Sequence, residues 1–239
     1  MWLKIIFLFN NLINHTGIMN KGHIRNILWD WNGTLLNDMS LCIDCMNILL
    51  ENRSMSRLAP DHYREIFTFP IRDYLAGIGF DFSKEAFEIP ADEFVVLYNR
   101  RYPEADLFSE VRPTLLRLRQ QGYKQYILSA QEQTLLNRLI EHYRLGGFFG
   151  AVTGTADNYA HSKVEVGKLM MKDLNLKQSE SIMIGDTIHD HEVAASLGIP
   201  CILVSHGHQS PARLRSTGAP VIGGLSEIFS LLGNNIPNH

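Results

Sequence analysis

The sequence predicts an α/β protein: a Rossmann-like parallel sheet core with an inserted α-helical cap. Two observations predict it. From residue 24 onward, short apolar runs alternate with helix-patterned stretches. Between residues 38 and 107 the alternation stops, and helical patterns follow one another with no strand-like run. Strands alternating with helices imply a parallel sheet with right-handed crossovers. An interval of about seventy helical residues is far too long for one crossover and reads as an insert.

In chain order, residues 1–19 form an N-terminal extension outside the core. Residues 2–9 are apolar except for Lys4, but no small-residue cleavage site follows, so a secretion signal is disfavoured and the cytoplasm is the expected compartment. Met19 competes with Met1 as the start. Residues 20–37 and 108–239 make up the core. The runs 27–29, 126–128, 182–184 and 201–204 read as strands buried on both faces. In the cap, residues 38–107, Asp38 is placed to cap a helix whose Leu41, Cys42, Cys45, Met46 and Leu49 share one face. Residues 61–67 and 91–102 read as further helices punctuated by Pro60, Pro70, Pro90 and Pro103. Leu135, Leu136, Leu139, Ile140 and Tyr143 mark a core helix that Gly146 and Gly147 are expected to end, and Gly198 with Pro200 ends the helix after Asp190.

Composition narrows the partners. The 22 Lys and Arg against 25 Asp and Glu give a net charge of −3, which disfavours nucleic acid. Three cysteines do not make a disulfide framework. No stretch approaches the roughly 20 apolar residues of a membrane span. The expected partner is a small molecule, and the chain is expected to be a monomer or a homodimer.

Four segments carry chemistry. Asp30-Trp31-Asn32-Gly33-Thr34 puts a carboxylate at the tip of the first strand, where α/β sheets bind ligands, with a glycine that lets backbone N–H groups turn toward an anion. Alone it reads slightly better as an Asn-Gly turn. Ser129-Ala130 ends the second strand, where a hydroxyl can donate to an oxyanion; alone it reads better as an N-cap. Lys163 opens a helix, a position the macrodipole disfavours unless an anion is nearby, and an exposed lysine is the even alternative. In Gly185-Asp186-Thr187-Ile188-His189-Asp190, two carboxylates face one point from a strand end and the next helical turn, a hard-oxygen set suited to Mg²⁺.

In this order, and with the long first gap, the four segments resemble the haloacid dehalogenase superfamily of aspartate-based hydrolases. The tail 193–208 is most similar to its phosphoglycolate-phosphatase-like branch. The resemblance covers residues 24–232 and implies an Mg²⁺-dependent phosphohydrolase acting on small phosphorylated metabolites. It implies Asp30 as nucleophile and Ser129 and Lys163 as phosphoryl contacts, with Thr34 and Ala130 in the substrate cradle. It also implies Asp30, the carbonyl of Asn32, Asp186 and Asp190 as the metal set. In this family a cap loop meets the substrate, which points to Arg72, although a pair with the adjacent Asp73 accounts for that residue as well.

Two departures stand out. The superfamily's phosphatases carry a second Asp two residues after the nucleophile, and here that position is Asn32, which has no titratable proton. General acid–base catalysis supplies about 10²–10⁴-fold, so turnover is expected to be slow, and Asn32→Asp is expected to raise it on alkyl esters about 10-fold or more. His189 is a conceivable substitute. A phosphometabolite binder with an impaired site, or a non-phosphatase hydrolase of the same fold, is the alternative; a phosphonatase would want a cap lysine, and residues 38–107 hold only Lys84. The second departure is Val164, where many relatives have Pro. Cys42 and Cys45 read as core rather than as a zinc pair, and no spacing joins His189, His191, His206 and His208 into a metal site.

Overall fold

The computed structural model describes residues 13–14, 18–19, 24–156 and 163–232. Its centre is a six-stranded sheet in the order β10-β9-β8-β3-β6-β7, parallel throughout. These strands are β3 (Asn26–Trp29), β6 (Lys124–Glu132), β7 (Ala151–Thr155), β8 (Ser181–Gly185), β9 (Cys201–Val204) and β10 (Val221–Ile222). Two short antiparallel ladders pair β1 (Ile13–Asn14) with β2 (Ile18–Met19), and β4 (Leu36–Asn37) with β5 (Asp106–Leu107). The rest of the N-terminal extension lies outside the described residues, as does the choice between Met1 and Met19.

Alternate strand residues point to opposite faces, and each face has its own core. Ile27, Trp29, Ile127, Ile182, Ile184, Ile202 and Val204 belong to one apolar cluster. Leu28, Tyr126, Leu128, Met183, Cys201 and Leu203 belong to the other. That is why the central strands read as unbroken apolar runs. β7 and β10 escape the sequence reading because they are the sheet's edges. β7 is half-buried over most of its length, and β10 has two residues.

The segment between β4 and β5 folds as four helices: α1 (Met39–Asn52), α2 (Pro60–Ile66), α3 (Ile71–Gly77) and α4 (Glu88–Arg101). They close over their own core, in which Met46, Leu49, Leu50, Tyr63, Tyr74 and Leu75 are buried. The β4–β5 ladder, Leu36 opposite Leu107 and Asn37 opposite Asp106, ties the two ends of this segment together. Among the described residues no helix is long and apolar enough to cross a membrane.

Three local expectations are corrected. Asp38 is the residue before α1, but its side chain makes no cap bond there. β6 runs on to Glu132, whose carboxylate caps the helix that follows at Gln133–His142, so Ser129 sits inside the strand and is no N-cap. That helix ends at Tyr143 and Arg144, the latter with φ 51°, and Gly146 and Gly147 fall in a later 3₁₀ turn.

Candidate active site

Register decides which residues meet. Trp29 lies level with Ile184 on one side and Ile127 on the other. The residues just past those strand ends therefore gather at one edge of the sheet, at the crevice open α/β sheets use for ligands. The Asp30 N–H continues the ladder to the Ile184 carbonyl at 2.8 Å, and its side chain turns toward the cap.

Asp30 is 6% exposed. The ammonium of Lys163 donates to its Oδ1 at 2.5 Å and to Asp190 Oδ1 at 2.7 Å. Lys163 opens the helix Lys163–Asp173 and is itself buried, so the helix-start position that looked unfavourable is offset by two carboxylates. Lys168 lies at the surface against Glu165. Burial pushes the Asp30 carboxyl up to about 6, with Lys163 opposing, which leaves it anionic at neutral pH.

Asp186 follows β8. Its Oδ2 accepts from the His208 N–H at 2.6 Å, and its Oδ1 lies 3.2 Å from the Thr34 hydroxyl, which is also 3.2 Å from Asp30 Oδ2. Burial, with His208 opposing, raises Asp186 to about 8. The packing here admits only glycine: a Cβ at Gly33 would stand 2.2 Å, and one at Gly207 2.1 Å, from Asp186 Oδ2. Asp190 serves two partners. One oxygen holds Lys163, and the other accepts from the Thr187 N–H and hydroxyl in a reciprocal capping box at the start of helix Ile188–Leu197.

The donor set fits a hard divalent cation. Asp30, Asp186 and Asp190 each offer an oxygen within 4.8 Å of the others, all three residues are buried, and one ammonium faces three carboxylates. An all-oxygen donor set with net negative charge suits Mg²⁺. A second group, Asp38, Cys42 and His208, is equally close, but there His208 and Asp38 pair with each other.

Asn32 does not stand alone. Its Nδ2 donates to Asp38 Oδ2 at 2.7 Å and to the Tyr98 hydroxyl at 2.9 Å. Asp38, fully buried, also accepts from the Gly33 N–H at 3.0 Å and from Tyr98 at 2.8 Å, and lies 3.2 Å from His208 Nε2. His208 Nδ1 meets the Tyr63 hydroxyl at 2.8 Å. The His208 imidazole is pushed up to about 9: burial opposes its charge, but Asp38 outweighs that, and the Asp38 carboxyl is held below its usual value, its burial offset by His208. Asp38, Tyr63, Tyr98 and His208 are the site residues the sequence reading missed. Asp38 read as a cap, and nothing in the spacing brings residue 208 to residue 38.

The remaining candidates divide. Ala130 lines the cavity beneath the cap. Ser129 is buried beside it, outside the residues that line the cavity, and its hydroxyl accepts the Gln131 N–H at 3.1 Å within β6. Arg72 is corrected: it is exposed, outside the cavity, with its guanidinium 4.8 Å over Phe82 and 5.5 Å over Phe87, and it pairs with neither a substrate site nor Asp73. His189 lines the cavity against Phe69, its Nε2 buried without a hydrogen-bond partner. Burial and then Lys163 lower its pKa, so it is a neutral imidazole at pH 7 rather than a ready acid. Cys42 is corrected in part: it faces the cavity 3.7 Å from Asp38, whereas Cys45 is core.

A carboxylate-and-lysine cluster at the C-terminal edge of a parallel sheet, roofed by an inserted helical cap, defines a class of α/β hydrolases. The family model of haloacid dehalogenase-like hydrolases matches residues 27–204, and the chain belongs to that family. It is 23% identical over 197 residues to the phosphoglycolate phosphatase of Pseudomonas putida, covering 77% of this chain and 70% of that protein. It is also 23% identical over 211 residues to the tyrosine-protein kinase PtkA of Mycobacterium tuberculosis, covering 86% and 70%. A haloacid dehalogenase-like family hydrolase from Streptococcus pneumoniae superposes with a TM-score of 0.77 at 20% identity, over 88% of this chain and 99% of that one. At that identity the likeness shows the fold.

Proposed function

We propose that the protein is an Mg²⁺-dependent phosphohydrolase acting on small phosphorylated metabolites through an aspartyl phosphate on Asp30. The observation that carries the reading is the buried Lys163 bridge, which holds the anionic Asp30 at the cavity floor and supplies positive charge where phosphoryl oxygens would sit. The phosphatase named among the relatives supports the same reaction class.

An Asp30 carboxylate oxygen attacks phosphorus and the ester oxygen leaves with the bonding pair, taking its proton from water; a second water then cleaves the acyl phosphate, releasing inorganic phosphate and regenerating Asp30. Asp30, Asp186 and the carbonyl of Asn32 would hold Mg²⁺, supported by Asp190, and the cation supplies charge that lets an anion approach an anionic ester. Lys163 neutralises the phosphoryl oxygens. Asn32, its Nδ2 committed to Asp38 and Tyr98, gives the leaving oxygen no proton. Turnover on poor leaving groups is therefore slow.

The test is phosphate release over a panel of metabolite esters, with and without Mg²⁺, for the wild type and Asp30→Asn. Mg²⁺-dependent multiple turnover lost in the variant supports the reading. Stoichiometric ligand binding without release would instead favour a phosphometabolite binder.

A further inference from the structure

The wall of the cavity opposite Asp30 is built by the cap, and its chemistry is specific. The cavity, of ≈ 180 Å³, is bounded there by Met46, Phe67, Phe69, Tyr74, Phe94 and Val95. Phe67 packs edge-on against Phe69 and Tyr74, with ring centroids 5.4 and 5.2 Å apart, so the wall is held in one arrangement. Among the described residues no arginine lines this cavity, and Lys163, already bound to two carboxylates, is its one lysine. Arg72 stacks on the cap's own rings outside it.

A carboxylate or second phosphate on the leaving group would be buried against this wall without a counter-charge, which is strongly unfavourable. An apolar ring would instead exchange water for aromatic contact. Polar groups of the cap also line the cavity: the Asn99 amide, the Cys42 thiol and the Tyr98 hydroxyl, which is held by Asn32 and Asp38. The Tyr74 hydroxyl is buried, the residue being 3% exposed, and it has no hydrogen-bond partner. Tyr63, its edge-on neighbour, spends its own hydroxyl on His208. The Tyr74 hydroxyl is closed to the cavity, so the Tyr74 ring offers a ligand apolar surface.

We propose, building on the phosphohydrolase reading above, that this site takes phosphate monoesters whose leaving group is uncharged and largely apolar, aromatic in its best form. The small carboxylated ester named for several relatives is then a poor substrate here.

The experiment compares esters of primary alcohols, so that leaving-group acidity stays similar: ethyl phosphate, phenethyl phosphate and phosphoglycolate, each with Mg²⁺. The expected result is a kcat/KM for phenethyl phosphate about 10-fold or more above both others, the scale that apolar pocket contacts give. Phosphoglycolate equal to or better than phenethyl phosphate overturns the proposal. Binding of the non-hydrolysable phenylpropylphosphonate and phosphonopropionate, followed by calorimetry, separates the two readings. Tighter binding of the phenyl compound with no turnover of any ester upholds the ligand class and sinks the phosphohydrolase; tighter binding of the carboxylated compound sinks the ligand class whatever the turnover.

Discussion

The Asn32 amide is joined directly to the Asp38 carboxylate, Nδ2 to Oδ2, at 2.7 Å. This contact explains why an amide occupies a position where phosphatases of the family carry a second acid. A carboxylate at 32 would face Oδ2 of the buried, anionic Asp38, whose His208 partner sits at the other oxygen. The amide satisfies Asp38 and Tyr98 together.

The expectation that Asn32→Asp alone accelerates alkyl ester hydrolysis is therefore revised. The single variant is expected to lose about 1–3 kcal/mol of stability, because acceptors meet an acceptor. Asn32→Asp with Asp38→Asn, which swaps the partners, is expected to recover at least part of that loss and to exceed the wild-type kcat on ethyl phosphate about 10-fold. Urea unfolding and steady-state kinetics of the three proteins check this; a single variant as stable as wild type would show that the pair is uncoupled.

Asp30→Asn is expected to lower phosphate release about 10³-fold or more while the fold is retained, since an amide of the same shape is a poor nucleophile. Circular dichroism and turnover on one preparation check both halves. Residual turnover near the wild-type level would move the nucleophile elsewhere.

Asp186 gives a pH signature in metal-free protein. Its folded pKa of about 8 lies above the ordinary 3.8. The folded state therefore binds the proton more tightly than the unfolded chain, and stability from this group falls as pH rises between those two values. His208, raised to about 9 from 6.5, acts in the same direction, its contribution present below 6.5 and lost as pH rises toward 9. In chelator, the urea midpoint is expected to fall between pH 5 and pH 8, Mg²⁺ to restore it at pH 8, and Asp186→Asn to flatten the metal-free curve. A midpoint that rises with pH in chelator would contradict the assignment.

Arg72→Ala is expected to leave KM unchanged for every ester tested and to cost about 0.5–1 kcal/mol of stability, the worth of an exposed cation–π contact. A selective rise in KM for carboxylated esters would return Arg72 to the substrate site.

What the sequence determined by itself is the core and its chemical edge. Central parallel strands are buried on both faces, so they announce themselves as apolar runs, and Asp30 and Asp186 at their carboxyl ends are placed by that pattern, with Asp190 and Lys163 in the first turns of the helices Ile188–Leu197 and Lys163–Asp173. The edge strands β7 and β10 lack that double burial and left no comparable mark. Tertiary structure decided everything that depends on how the cap meets the sheet edge. Asp38 reads locally as a helix cap, yet its partners Asn32, Tyr98 and His208 come from three separate segments, the last of them 170 residues away. Arg72 reads as a substrate contact, yet two rings of its own cap hold it at the surface. Tyr74 reads as one more core aromatic, and only the packed cap shows its hydroxyl without a partner. Periodicity reports which face of an element is buried; it carries no information about which distant polar group lies opposite, because that is set by the docking of one layer on another.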